Sequence, residues 1–137
     1  MKRILLLVAA VLLAGCASIE PGADPLIVNT ERAETIAKGS FDLVAQVDNT
    51  DRGFWRTNAP AFHNFVEWLR KPETNDDVVL PRGLALIWKA DDLKLRYKSG
   101  RANSNDLSAA VIELSTASDQ AGAWLTIVTN SPGDPPR

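Results

Sequence analysis

The sequence contains very few of the residues on which sites and cross-links are usually built. Its 137 residues include one cysteine, Cys16, and one histidine, His63. A single cysteine excludes a disulfide within one chain, and one histidine cannot supply the histidine pair that many transition-metal sites use. No serine lies in a GxSxG or SxxK motif, so the common serine nucleophiles are missing as well. We therefore expect neither a bound metal nor a cofactor.

Long hydrophobic runs are also missing. Residues 4–13 are ten apolar residues without a charge, whereas a helix that spans a bilayer needs about 20. The run follows Lys2 and Arg3, and this order of basic start and apolar segment is typical of a secretory signal peptide. Elsewhere the composition is that of a globular protein, with 45% hydrophobic and 23% charged residues. The length suits one domain with its own core.

The apolar run ends in LAGC at residues 13–16, which resembles the lipobox of bacterial lipoproteins at every position. The resemblance implies a diacylglyceryl group on the Cys16 sulfur, cleavage just before Cys16, and acylation of the new amino terminus. Ala17 stands where lipoproteins retained in the inner membrane usually carry aspartate, so the resemblance implies the outer membrane, with the protein facing the periplasm. The alternative is an ordinary signal peptide cut nearby, which would leave Cys16 free or remove it.

These features divide the chain into a lipoprotein signal peptide at 1–15, a lipidated tether at 16–24, a helical domain at 25–129 and a disordered tail at 130–137. Cleavage would remove Lys2 and Arg3, which changes the formal net charge from −2 to −4. A negative charge and secretion both argue against nucleic acid as a partner.

Four amphipathic segments follow the tether. The first begins at Asp24, a helix cap followed by proline, and reaches residue 47, where residues 48–53 form a turn. The second starts near Pro60 and stops at Pro72. The third covers 81–97 and the fourth begins at residue 104 or 105. We predict no strand at residues 78–80, because no partner strand is evident. We predict an all-α fold, a small, irregular four-helix bundle of up-down topology.

Each segment carries apolar residues at helical spacing, and these predict the core. The expected core residues are Ala33, Ala37, Phe41 and Val44 in the first segment, Phe62, Phe65, Val66 and Leu69 in the second, Leu84, Ile87, Trp88 and Leu95 in the third, and Leu107, Ala110, Val111, Leu114, Ser118, Ala121, Leu125 and Val128 in the fourth. The fourth stripe is the most regular, so its helix should form the spine of the core.

Catalytic chemistry finds little support in the sequence. His63 and Glu67 are four residues apart, and we interpret them as a solvated pair on one helix face. The adjacent carboxylates at 76–77 and 91–92 do not converge on one substrate bond: the first pair lies in a loop and the second should pair with local bases. A hydrolase with an unrecognised site is the alternative to a binding protein.

Arginine and aromatic residues gather in DRGFWRTN at residues 51–58, and a basic run covers 89–101. In an up-down bundle the first and third connections share one end, which would lie about 35 Å from the tether. Arginine and exposed aromatics are enriched in binding hot spots. The candidate partner-binding residues are Arg52, Phe54, Trp55, Arg56, Lys98 and Arg101. Alternatively, one ring caps the end of the bundle and the other rests against a neighbouring helix.

The stretches ADPLIVNTERAETIAKGSFD and LRYKSGRANSNDL resemble small lipoproteins carried by phages and prophages. That resemblance implies an accessory role in lysis or superinfection, although lipoprotein spanin subunits are typically shorter and richer in proline. The function expected from the sequence is a non-enzymatic, lipid-anchored periplasmic helical bundle that binds another component of the cell envelope.

Overall fold

Helix dominates the structure, a computed structural model that describes residues 22–130. Its helices cover 81% of that range, so the prediction of a mostly helical fold is confirmed. The elements in chain order are α1 (Pro25–Thr50), α2 (Arg52–Asn58), α3 (Pro60–Arg70), β1 (Pro72–Asn75), β2 (Val78–Pro81), α4 (Arg82–Lys98) and α5 (Ser104–Asn130). The predicted signal peptide, Cys16, most of the tether and most of the tail lie outside the described residues.

The first helix begins where the sequence predicts and ends later. The Asp24 side chain accepts a hydrogen bond from the Leu26 N–H at 2.9 Å, and Pro25 occupies the first helical position. The helix then continues through the first half of the predicted turn to Thr50. Asp51 separates it from α2 and caps that short helix, accepting from the Phe54 N–H at 2.9 Å. The predicted turn at 48–53 is therefore a single-residue break between two helices.

Three long helices, rather than four, run the length of the bundle. The end of α4 lies beside the start of α1, because the Tyr97 hydroxyl donates to the Asp24 carboxylate at 2.9 Å. Earlier in α4 and later in α1, Lys94 Nζ donates to Glu34 at 3.0 Å. The start of α4 lies beside Phe41, in the second half of α1. Helix α4 is therefore antiparallel to α1, and α2, α3 and the two strands together make one connection at the far end.

A β-hairpin replaces the predicted loop before α4. Strands β1 and β2 pair antiparallel with Glu73 opposite Leu80, so the prediction that residues 78–80 form no strand is wrong. Asp76 and Asp77 both have positive φ, at 45° and 67°, a conformation that two-residue hairpin turns require and that aspartate tolerates. The hairpin is fixed to α4 by an ion pair between Glu73 and Arg82.

The core contains the stripes expected for α1, α3 and α5 but a different face of α4. Leu84, Trp88 and Leu95 are exposed by 42%, 49% and 54%, so their predicted burial is wrong. The residues that α4 buries are Gly83, Ala85, Leu86, Ala90 and Lys94. Most of them are small because α4 packs very close to its neighbours: a Cβ on Gly83 would stand 3.1 Å from the Phe41 ring.

Candidate functional site

A fully buried carboxylate, Asp48, lies near the end of α1 where α2 and α3 pack against it. It accepts hydrogen bonds from His63 Nδ1 and Arg70 Nη1, both at 2.7 Å. Arg52 Nε stands 3.6 Å away. A buried carboxylate without partners would cost several kcal/mol, which these groups offset. We call Asp48, Arg52, His63, Glu67 and Arg70 the Asp48 cluster.

Sequence reasoning missed this cluster because it assigned Asp48 to a turn. A signal was nevertheless present. Asp48 continues the spacing of Ala37, Phe41 and Val44, so it is the charged member of an otherwise apolar stripe. A charge on the buried face of a helix requires a partner from another element. The sequence does not reveal which residue supplies it.

Glu67 and Arg70 form the outer layer of the cluster. Arg70 Nη1 donates to Glu67 at 2.8 Å, and Glu67 also bonds the Arg52 guanidinium. The hydrogen bond from Arg70 lowers the pKa of the Glu67 carboxyl. Burial opposes the charge on Arg70, but the hydrogen bonds to Asp48 and Glu67 outweigh it and raise the pKa of Arg70. Both carboxylates of the cluster are therefore neutralised by arginine.

His63 is buried and pairs with Asp48, so its interpretation as a solvated partner of Glu67 is wrong. The carboxylate of Asp48 can only accept, so Nδ1 carries the shared proton. In a neutral imidazole this leaves Nε2 with a lone pair. Nε2 forms no hydrogen bond with residues 22–130 and is not fully buried. In that neutral form, His63 offers one proton-accepting nitrogen to solvent.

That nitrogen belongs to a side chain lining an open depression of about 280 Å³. The other lining residues are Arg52, Gly53 and Arg56. Gly53 has no side chain to fill the space, and the Arg56 side chain forms no ion pair or hydrogen bond with any residue of the described chain. Within residues 22–130 no carboxylate lines the depression: Asp48 is fully buried, and Glu67 is bound to two arginines. The depression presents cationic groups to solvent.

The arrangement suits an anion better than a metal ion. Ligand atoms of Asp48, His63 and Glu67 lie within 4.8 Å of one another, a spacing compatible with a metal ion. Both carboxylates, however, are already bound to guanidinium groups. A divalent cation would have to displace Arg52 and Arg70 from them and would then face two uncompensated positive charges.

Two of the predicted partner-binding residues, Phe54 and Trp55, are aromatic. The structure places Trp55 in the core. It is 4% exposed, and its ring packs edge-to-face with Phe54 at 5.0 Å and Phe62 at 5.3 Å between centroids. The indole N–H donates to the Val47 carbonyl at 2.9 Å. The expectation of an exposed Trp55 ring is wrong. Trp55 instead fits the alternative, in which a ring caps the end of the bundle. Phe54 is half-buried beside it.

Lys98 and Arg101 lie at the opposite end of the bundle from Arg52 and Arg56. The end of α4 meets the start of α1 at the bond from Tyr97 to Asp24, whereas Arg52 follows the end of α1. Helix α1 has 26 residues, which separates the two ends by about 39 Å. The prediction that the two basic groups meet is wrong, because only two helices, α1 and α4, run lengthwise before Lys98.

A second depression, of about 360 Å³, lies where the hairpin, α4 and α5 meet. It contains two carboxylates, Glu73 and Glu113, but each forms an ion pair, with Arg82 and Lys89 respectively. Trp68 in the same depression stacks on Phe65 and lies under the Arg82 guanidinium. The charged and aromatic side chains named here are therefore held by ion pairs, ring stacking and a cation–π contact. The carboxylates at 91–92 pair with nearby bases on α4, as predicted.

None of the helices within residues 22–130 has the length and apolar character needed to cross a bilayer. Comparisons of the chain with protein-family models, with curated proteins and with solved structures gave no match.

Proposed function

We propose that this protein is a lipid-anchored, non-enzymatic bundle of the bacterial cell envelope that binds another envelope component. The anchor is the acylated Cys16, exposed by removal of the signal peptide at residues 1–15. The component binds at the depression formed by Arg52, Gly53, Arg56 and His63. The protein is held in the outer membrane and faces the periplasm.

The observation that carries the proposal is the position and chemistry of the depression. It lies at the end of α1 farthest from the tether, about 39 Å away along the helix axis. The nine-residue connection from Cys16 to Pro25 adds at most about 30 Å when extended. A partner could therefore reach the depression without contacting the anchoring membrane. The exposed Arg56 guanidinium forms no ion pair or hydrogen bond within residues 22–130, so its charge is available to a partner.

Capture of partners from envelope extracts tests the proposed surface. Arg56→Ala should reduce the captured partner strongly and leave thermal stability unchanged, because Arg56 is exposed and makes no ion pair within the described chain. Lys98→Ala is the matched control, since it removes another exposed cation, at the opposite end, whose side chain has no ion-pair partner among residues 22–130. Equal capture by wild type and both variants would reject the depression as the binding surface.

Lipidation is tested separately by metabolic labelling with a fatty-acid analogue. The wild type should carry the label and fractionate with the outer membrane, and Cys16→Ser should lose both properties because serine lacks the acceptor sulfur. A label of equal intensity on the two proteins would contradict the proposed anchor and leave the binding surface unaffected.

A second candidate function, hydrolysis, is favoured by the pairing of Asp48 with His63. The carboxylate holds Nδ1 at 2.7 Å and leaves Nε2 accessible, an arrangement in which Nε2 can remove a proton from water while Asp48 stabilises the resulting imidazolium. Arg52 and Arg56 would stabilise negative charge on the attacked group. Turnover of envelope esters by the wild type, lost in both His63→Gln and Arg56→Ala, would support this candidate over simple binding.

A further inference from the structure

We infer that the depression takes a phosphate monoester, with the ionised oxygens on Arg52 and Arg56 and the remaining P–OH on His63 Nε2. This inference rests on the proposed function and names the chemical class that its binding surface recognises. Guanidinium groups match phosphate through paired N–H donors. The depression, at about 280 Å³, has room for such a group.

The hydrogen bond between His63 and Asp48 determines which anions fit. Asp48 is fully buried, and Arg70 Nη1 donates to its second oxygen at 2.7 Å. His63 Nδ1 is consequently the donor to the first oxygen, and a neutral imidazole keeps a lone pair on Nε2. A fully ionised anion that reaches Nε2 would place its own lone pairs against that lone pair. As long as His63 stays neutral, only an anion that also brings a proton forms a hydrogen bond there.

Phosphate monoesters meet this requirement because their second proton dissociates with a pKa of about 6. Near neutral pH the protonated form is available at small cost, so one oxygen can donate to Nε2 while the others accept from the arginines. Sulfate and carboxylate groups are fully ionised at that pH and have no proton to donate. The site should therefore prefer phosphate monoesters to sulfate of the same size.

The charged groups nearest His63 come from α1, α2 and α3, and Asp51 caps α2 beside Gly53. Asp48 on α1, Arg52 and Arg56 on α2, and Glu67 and Arg70 on α3 all belong to this end of the bundle. Among these residues the two carboxylates and the guanidiniums of Arg52 and Arg70 balance one another. Arg56 is the cation left over. We expect it to contribute most of the attraction for the ligand.

The single histidine provides a direct probe. The lipidated protein, isolated from membranes in detergent without a histidine tag, has a single histidine and therefore one set of imidazole signals in a ¹H–¹⁵N spectrum. Inorganic phosphate should shift the Nε2 resonance of His63 in a saturable way, and sodium sulfate at matched ionic strength should need at least about tenfold more ligand. Arg56→Ala should weaken phosphate binding about tenfold, the usual effect of losing one charge-assisted contact. Lys98→Ala should bind within twofold of wild type.

A soluble short-chain phosphatidic acid distinguishes the source of the group. Tighter binding of this lipid than of inorganic phosphate would identify a phosphomonoester headgroup as the ligand, and equal binding would identify a phosphate group recognised without its lipid. Equal shifts with phosphate and sulfate, unchanged phosphate binding in Arg56→Ala, or no shift with phosphate would each overturn the inference. If Arg56→Ala still reduced partner capture in that case, the proposed function would stand with another ligand.

Discussion

Replacing Trp55 by alanine tests the placement of this residue in the core, on which the assignment of the binding surface depends. Truncating a buried aromatic residue costs about 3–5 kcal/mol. Trp55 also loses two edge-to-face ring contacts and the hydrogen bond from its N–H to the Val47 carbonyl. We therefore expect the upper part of that range, which is a large share of the 5–15 kcal/mol that stabilises a typical domain.

The assay is thermal and urea unfolding of the purified chain, followed by circular dichroism. For a domain of this size, a loss of about 4 kcal/mol lowers the midpoint temperature by about 15 °C or more. Trp88→Ala is the matched control, since the same side chain is 49% exposed on α4 and should cost less than about 1 kcal/mol. Trp55→Phe retains a ring but loses the N–H donor, so it should fall between the two.

A loss below about 1 kcal/mol in Trp55→Ala, or one equal to that of Trp88→Ala, would refute the reasoning. Trp55 would then lie on the surface, and it would again be a candidate partner-binding residue. The outcome expected from the structure leaves Arg56 as an exposed residue at this end whose side chain forms no ion pair or hydrogen bond within residues 22–130.

Three further predictions concern buried charge, helix packing and pH. Asp48→Asn leaves the guanidinium that bonds it partly uncompensated and should cost about 3–5 kcal/mol in urea unfolding; a cost below about 1 kcal/mol would contradict its structural role. Gly83→Ala should destabilise by about 1–3 kcal/mol because the new methyl meets Phe41, whereas Gly39→Ala, with open space around it, should stabilise by about 0.5–1 kcal/mol; the same sign for both would refute the packing of α4. The pKa of Glu67 is lowered in the folded state, so its ionised carboxylate stabilises the fold above the ordinary glutamate value of about 4.3, and this stabilisation is lost as pH falls below that value. Glu67→Gln should therefore reduce the acid dependence of the unfolding midpoint. An unchanged pH profile in that variant would contradict the prediction.

The ion pair between Lys94 and Glu34 illustrates why α4 could not be oriented from its sequence. Burial raises the pKa of the Glu34 carboxyl, which the hydrogen bond from Lys94 only partly offsets. Burial opposes the charge on Lys94, but hydrogen bonds to Asp91 and Glu34 raise its pKa. A lysine on the buried face of a helix is tolerable only with such partners. Glu34 is 60 residues away along the chain, beyond the reach of any local pattern.

Interactions between residues close together in the sequence determine where α1 begins and which face of α5 is buried. The cap at Asp24 and the proline after it start α1, and the regular stripe that includes Leu114 predicts the buried face of α5, because both depend on residues within a few positions of one another. The basic start, apolar run and LAGC motif likewise carry the lipoprotein hypothesis without any tertiary structure.

Contacts between distant residues decided the rest. Strand β2 (Val78–Pro81) forms because β1 pairs with it. The turn that brings the two strands together consists of two adjacent aspartates with positive φ. Helix α4 presents its small residues inward because its distance from α1 is too short for the larger leucines and tryptophan that dominate its apolar pattern. The Asp48 cluster assembles from α1, α2 and α3, and its hydrogen bonds form only when those helices pack, which is why the candidate site is a property of the tertiary structure.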